Sequence, residues 1–405
     1  MSQHKRLFSI AIILACVLLV LNFGLRSSMG FFMKPISDSF GYGREIFAFS
    51  LALQNLFWGL AQPMAGAIAD RFGSAKAIVG GALLYAAGLY ITAHAGGIWE
   101  LHIGAGIMIG MGIAGTGFGV VLPAMARMVA PEKRAFALGL GTAAGSAGQF
   151  LVIPVARGFI EAYGWQTALV LMAAGALIMM FLATSCRGGD HKSNLGDEPD
   201  QSLMQALTEA SGHIHYWLLI AGFFVCGFQL AFITVHMPAY LSDQGFDSSV
   251  AAASLALIGL FNIFGSLASG SLSGVYSKKW LLGYIYAGRA VVLVLFLVFP
   301  ITTFTVYAFS IVTGFLWLAT VPPTSGLVAQ MFGLRYMGTL YGIVFLNHQL
   351  GSFAGVWLGG YLFDHTGSYD VVWWATVAIA AVTALIHIFI DERPVARLRL
   401  RQAAA

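Results

Sequence analysis

Residues 51–76 read LALQNLFWGLAQPMAGAIADRFGSAK. An apolar run long enough to cross a bilayer, which takes about 20 residues, ends abruptly in Asp70, Arg71, Gly73 and Lys76. Gly66, one turn before the acid, lets a neighbouring helix come close, and Gly73 permits a tight turn. Asp70 can pair with a cation or cap the end of an adjacent helix. A second copy, LALIGLFNIFGSLASGSLSGVYSKK (255–279), follows at an offset of 204 residues and has Gly274 where the first has Asp70. The chain therefore repeats itself, and a charge lock built on this loop is one-sided.

The rest of the chain fits a membrane solvent. Of its 405 residues, 59% are hydrophobic and 9% charged, against roughly 25% charged in a soluble domain. The 49 glycines suit close helix contacts in lipid. Cys16, Cys186 and Cys226 lie in or beside apolar runs without metal-ligand spacing, so neither a disulfide frame nor a metal site is expected, and no cofactor is called for. GMGIAG (110–115) has the outline of a dinucleotide loop but lies inside an apolar run, where helix packing is the better explanation. The N-terminus, MSQHKRLFSIAIILACVLLV, has the shape of a signal peptide, but its apolar run is too long and lacks a small-residue cleavage site, so it reads as an uncleaved first span.

Twelve candidate spans lie near 7–36, 45–69, 77–97, 101–129, 134–162, 165–186, 214–240, 249–276, 280–299, 302–330, 337–363 and 369–390. The pattern predicts an all-α membrane protein of 12 transmembrane helices in two pseudo-symmetric six-helix bundles: residues 1–186, a polar linker at 187–212, and residues 213–405. Pro123 in span four and Pro323 in span ten strengthen the repeat, and parallel repeats of this kind place a substrate between the halves near the midplane. With the N-terminus inside, 16 of the 21 Lys and Arg residues, among them Lys5, Arg6, Arg71, Lys76, Arg127, Lys133, Arg134 and Lys192, fall on the inner side and only Lys34 and Arg44 on the outer. The positive-inside rule then puts both termini and the linker in the cytoplasm, and a plasma membrane, bacterial inner membrane included, is the expected location.

The G-x-x-x-D-R-x-G-x-x-K run of Gly66, Asp70, Arg71, Gly73 and Lys76 resembles the cytoplasmic loop motif of the major facilitator superfamily. EKRAFALGLGTAAGSAGQ (132–149) and YGWQTALVLMAAGALIMM (163–180) resemble monocarboxylate transporters at Lys133, Arg134, Ala137, Gly139, Ala144, Gly145, Gly164 and Trp165. HQLGSFAGVWLGGYLFDHTGSYD, in span eleven, is similar to bacterial carboxylate carriers related to the oxalate–formate antiporters. The acidic, Gly- and Trp-containing stretch that opens span one in that family is absent here. The resemblance implies a carrier fold and a basic residue in span one, matched by Arg26 with Phe31 and Phe32 after it, that contacts a carboxylate. It also implies an arginine in span eight, where this chain has Ser266.

Charges inside the spans sharpen the functional expectation. Arg26, Arg157 and Arg289 lie in spans one, five and nine, and the 17 carboxylates fall at span ends, in loops or in the tails. A cation at membrane depth faces a partner or a cavity. Arg157 can pair with Glu161 one turn on, and Arg289, on a peripheral span, reads as an interhelical structural bond. Arg26, roughly 29 Å along a helix begun at Leu7, is left to hold an anion. Gln54 and Trp58, Asn262 and Ser266, and Asn347 with His348 complete the candidate substrate contacts, and His348 is also a candidate proton carrier, with an interhelical histidine as the alternative. The expected activity is alternating-access transport of a small organic anion such as lactate or pyruvate, coupled to protons or run as exchange of carboxylates such as oxalate and formate. A sensor on a carrier fold ranks below it. An enzyme ranks last, because no triad, carboxylate pair or metal-ligand set converges in the spans. The lipid bilayer is the expected surrounding, no nucleic-acid partner is expected, and the sequence leaves the oligomeric state open.

Overall fold

In lipid, each peptide group must find its partner within its own segment, which leaves long apolar runs one solution, the helix. The computed structural model describes residues 3–41, 44–189 and 201–402, and among them it contains helices and no strand. The first half is α1 (Gln3–Ser28) continued by α2 (Met33–Phe40), α3 (Arg44–Phe72), α4 (Ser74–Ala93), a broken span made of α5 (Ile98–Leu101), the π-helical turn His102–Met108, α6 (Ile109–Thr116) and α7 (Phe118–Met128), and the long α8 (Arg134–Leu182). After α9 (Leu203–Ser211) the second half follows: α10 (Ile214–Asp243), α11 (Ser248–Leu272), α12 (Lys278–Val298), α13 (Thr303–Leu316), α14 (Val321–Phe332), α15 (Met337–Thr366), α16 (Asp370–Ile388) and the terminal α17 (Ala396–Gln402).

Nine segments of the described residues are long and apolar enough to cross a membrane. One of them, 131–187, holds two crossings: Gly164 takes φ +78° and breaks α8, a left-handed value that glycine alone adopts without a steric penalty. The chain after the break returns, so that residues 183–189 lie against α7, from whose end α8 set out. Two further crossings, α3 and α15, fall outside the nine because they carry Gln54, Asn55 and Gln62, and Asn347, His348 and Gln349. Twelve crossings result. α3 and α15 meet each other between the halves, and α8 meets α11 at a second seam.

Residues 190–200 of the expected linker, Lys192 with them, and the side chains of Lys5, Arg6, Lys34 and Arg44 lie outside the described set. What is described gathers onto one face: Tyr336 donates to the Gln201 carbonyl (2.9 Å), Arg397 meets Glu209 (3.5 Å), and the Val395 N–H donates to Met331 (2.9 Å). This face, here the linker face, also holds the loops at 70–76, 127–134 and 333–337.

Small residues join the halves, as expected where lipid removes the hydrophobic drive between helices. Gly66 of α3 lies on the Gly338 backbone of α15, Gly342 on Gln62 and Pro63, and Gly59 on Gln349; across the other seam, Gly139 of α8 meets Gly270 of α11. These crossings run from the linker face to mid-depth. Beyond Asn55 and Gln349, no hydrogen bond among the described residues ties one half to the other towards the opposite face.

Gly66→Val places a side chain on the Gly338 carbonyl and within 2.8 Å of the Thr339 nitrogen. Thermal unfolding in detergent should show a loss of about 1–3 kcal/mol, while Gly80→Val, with nothing within 4 Å of its added carbon, should behave as the parent.

Candidate functional site

The site has two parts, a closure at the linker face and a polar seam at mid-depth. Asp70 makes the closure. Its carboxylate is fully buried and pairs with Arg127 of α7 at 3.1 Å, whose side chain is 4% exposed. It also accepts the Gly338 and Thr339 backbone N–H groups (3.2 and 2.7 Å) and the Thr339 hydroxyl (2.9 Å). Because α15 starts at Met337, Asp70 occupies the N-terminus of a helix from the other half, where free N–H groups and the helix dipole favour an anion. Arg127 continues to Ser74 (3.0 Å) and to the Leu334 carbonyl of the second half (3.4 Å). Gly73 makes the turn at φ +99°. Arg71 lies over the Phe72 ring and Lys76 is exposed, so neither enters the closure.

The second copy of this loop is held differently. Glu392, from the segment after α16, accepts the N–H groups of Lys278 and Lys279 (3.0 and 3.2 Å) at the start of α12, and Lys278 donates to Gln330 (2.6 Å). The lock is one-sided, as Gly274 implies.

At mid-depth Arg26 is half-buried. Its Nη2 donates to Asn55 Oδ1 at 2.7 Å and its guanidinium lies over the Trp58 ring, 4.8 Å from the centroid. Its Nε is buried without an acceptor. No carboxylate pairs with it among the described residues. Trp58 donates to Gln62 (3.1 Å) and its ring stands between Phe23 of α1 and Phe345 of α15, with centroids at 5.9 and 4.8 Å. His348 stacks on Phe345 (5.3 Å, 14°), and its Nδ1 lies 3.1 Å from Gln349 Oε1. Gln349 in turn donates to the Asn55 carbonyl across the halves (3.4 Å).

The remaining candidates separate. Gln54 donates to the Ala105 carbonyl in the π-helical turn (2.8 Å), inside its own half, and Asn347 donates to Ile220 of α10 (2.8 Å), inside the other. Asn262 sits at the second seam, donating to Ser146 of α8 (2.8 Å) and accepting the Leu318 N–H (2.9 Å), with Ser266 behind it (3.3 Å). Phe32 is fully buried, whereas Phe31 is exposed beneath Arg157. Arg157 pairs with Glu161 at 3.3 Å in the open. Arg289 is bonded between helices, to the Leu316 and Trp317 carbonyls and to Gln229 (3.1 Å). His236 is fixed by the Val356 carbonyl and Tyr369. The polar cluster of Asn347, His348 and Gln349 stands out in the sequence of span eleven, whereas Asn55 and the burial of Arg127 do not.

A buried ion pair at the linker face and a polar seam at mid-depth thus lie within a bundle of long apolar helices. The family model for the Major Facilitator Superfamily matches residues 15–356. The chain belongs to the major facilitator superfamily. This membership makes it a multi-pass membrane transporter, and such transporters bind small molecules between their halves. The chain is 24% identical over 380 residues to the MFS-type transporter YcxA of Bacillus subtilis, covering 91% of this chain and 92% of that one. It is 25% identical over 361 residues to monocarboxylate transporter 13 of Bos taurus, covering 86% and 81%. In structure it is similar to the proton:xylose symporter XylE (TM-score 0.73, 15% identity, 97% and 98% covered) and to the E. coli fucose:proton symporter FucP (TM-score 0.69, 15% identity, 95% and 99% covered), likenesses that carry the fold.

Asp70→Asn leaves the Arg127 cation buried without its counter-charge. Removing one partner of such a pair costs about 3–5 kcal/mol, to be read as a lower unfolding temperature in detergent. In the same background, a cysteine at Leu138, which is buried beside Gly326 of α14, should react faster with a maleimide than in the parent.

Proposed function

We propose that this transporter carries small organic anions, monocarboxylates such as lactate or pyruvate, by alternating access, with Arg26 as the anion's contact. One observation carries this reading: a permanent cation at mid-depth has only neutral neighbours, Asn55 and the Trp58 ring, and a buried Nε with no acceptor. A carboxylate beside it supplies both the missing charge and the missing acceptor, in the paired geometry that guanidinium favours. Trp58 and Phe345 would flank the acid's short carbon chain, and His348 would face it from the second half. Gln54 and Asn347 would hold their helices, and Asn262 and Ser266 the second seam. The likeness to a monocarboxylate transporter over four-fifths of that protein's length supports the acid class.

The excess of cations on the linker face supports a cytoplasmic placing of that face, in a plasma membrane. With Asp70 closing it, the acid would enter from outside, and loss of the closure would open the inner route. Gly66, Gly73 and Asp70 would serve this gate directly, Arg71 and Lys76 through the charge they give its face. The carrier would run as a proton symporter, and exchange of one carboxylate for another is the competing mode.

Uptake of labelled lactate, pyruvate, oxalate and formate into liposomes, with and without an inward proton gradient, tests the proposal; no uptake of any of the four would sink it. Arg26→Gln should weaken the anion's half-saturation about ten- to a hundredfold, the scale of a hydrogen bond to a charged group. Unchanged affinity would move the site elsewhere.

A further inference from the structure

The repeat offset of 204 residues relates Asn22 to Cys226, Tyr85 to Arg289 and Thr116 to Thr320. The structure brings each set together at the same place, the break in the fourth span of its half. In the first half Thr116 donates to Asn22 Oδ1 (2.9 Å) and Tyr85 donates to the Asn22 carbonyl (3.2 Å). In the second, Cys226 Sγ lies 3.2 Å from Thr320 Oγ1, and Arg289 Nη2 donates to the same sulfur at 3.8 Å. The architecture is kept, but an amide, a phenol and a hydroxyl are replaced by a thiol, a guanidinium and a hydroxyl. The second half has exchanged an uncharged knot for one that holds a permanent cation beside a thiol.

Arg289 is 5% exposed and Cys226 fully buried. A buried guanidinium calls for a negative charge, and among the described residues no carboxylate pairs with Arg289. α11, α13 and α14 contain no charged residue at all. The groups that face the thiol are Arg289 and Tyr286 from α12, His348 and Tyr341 from α15, and Thr320 at the start of α14, while His387 of α16 meets α10 a turn earlier at Gly222. Of those that can become anions, a thiol ionises more readily than a phenol, at about 8.5 against about 10 in free peptides. Gly227, next in sequence, lets α10 lie on the His348 carbonyl, where any side chain would intrude. That contact brings the imidazole beside the sulfur.

The cluster is connected to Arg26. Arg26 donates to Asn55, Gln349 donates to the carbonyl of Asn55, and Gln349 Oε1 faces His348 Nδ1. With Nδ1–H given to Gln349, the other ring nitrogen keeps the lone pair that can accept a thiol proton. The chain of contacts therefore runs from the cation of one half to the cation of the other through side chains that cross the moving interface.

We propose that Cys226 is the proton-exchanging group of this transporter, its thiolate serving as the counter-charge of Arg289. The S–H bond breaks with both electrons left on sulfur, where the Arg289 and Thr320 donors hold the thiolate. The proton passes to the free nitrogen of His348 and from that imidazolium to water that reaches the seam when the halves part. Reprotonation runs the same path in reverse. The inference rests on the proton-coupled form of the anion-carrier reading, but the thiolate itself requires no substrate.

The test uses the full-length protein in detergent and in liposomes. The ultraviolet thiolate band is titrated in the parent, in Cys226→Ser and in Cys16→Ser. The parent and Cys16→Ser should both show about one thiolate more than Cys226→Ser at neutral pH, lost on acidification, and Arg289→Gln should lose it too. Identical titrations of the parent and Cys226→Ser would overturn the proposal whatever the protein transports. In liposomes with labelled pyruvate, the ratio of uptake with and without an inward proton gradient should fall to one in Cys226→Ser and keep the parent value in Cys16→Ser. A parent ratio in Cys226→Ser would likewise overturn it. Should Cys226→Ser fail to fold, Cys226→Ala takes its place in both arms. Absence of pyruvate uptake in the parent sinks the carboxylate reading and leaves the absorbance arm to decide.

Discussion

A carboxylate sealed away from solvent organises this molecule. Asp70 is held by one cation of its own half and by the N-terminal N–H groups of a helix from the other. Neither partner alone would justify burying it, because desolvating an ion costs several kcal/mol unless its lone pairs are met. Together they do so only when α3 and α15 lie together, and α3 and α15 can lie together only because Gly66 and Gly338 have no side chains to separate them. The close approach of the halves and the stability of the charge are thus one condition. Whatever draws α15 away strands both Asp70 and Arg127.

The same logic, at lower stakes, governs mid-depth. Lipid offers no hydrogen bonds, so polar side chains on spans find one another. Most of those here are satisfied inside one half: Gln54 on Ala105, Asn347 on Ile220, Arg289 on the carbonyls of the broken span ten. Those bonds tie each half to itself. The exceptions, Asn55 with Gln349 and Asn262 with Ser146, cross between the halves. Among the described residues Arg26 is tied on the first-half side of its seam, by Asn55 and the Trp58 ring.

Much of this was legible in sequence. Apolar runs marked the spans, and the charged end of 51–76 marked Asp70 as a group that meets a cation and caps a helix, because those signals are long or recur. That Arg157 would find Glu161 and Arg289 would serve between helices followed from spacing and from the peripheral place of span nine. What sequence could not resolve was rotation about a helix axis. Gln54 and Asn55 are adjacent, yet one faces its own half and the other faces Arg26, a difference of 100° that hydropathy does not encode. Nor could it show Arg127 leaving the population of loop cations to enter the closure, since a charge near a span end reads alike whether solvated or buried. The surroundings of Cys226 were out of reach for a related reason: its neighbours come from α12, α15 and the start of α14, and only the fold assembles them.

The break at Gly164 has a mechanical meaning. The fifth and sixth crossings are separated by a single left-handed residue rather than by a loop, and the Trp165 indole at that corner is anchored to Ser39 beyond the first crossing (2.8 Å). A joint that short has no slack. The fifth crossing carries the Gly139 and Ser146 contacts to the other half, so any tilt imposed on it there is delivered undiminished to the sixth.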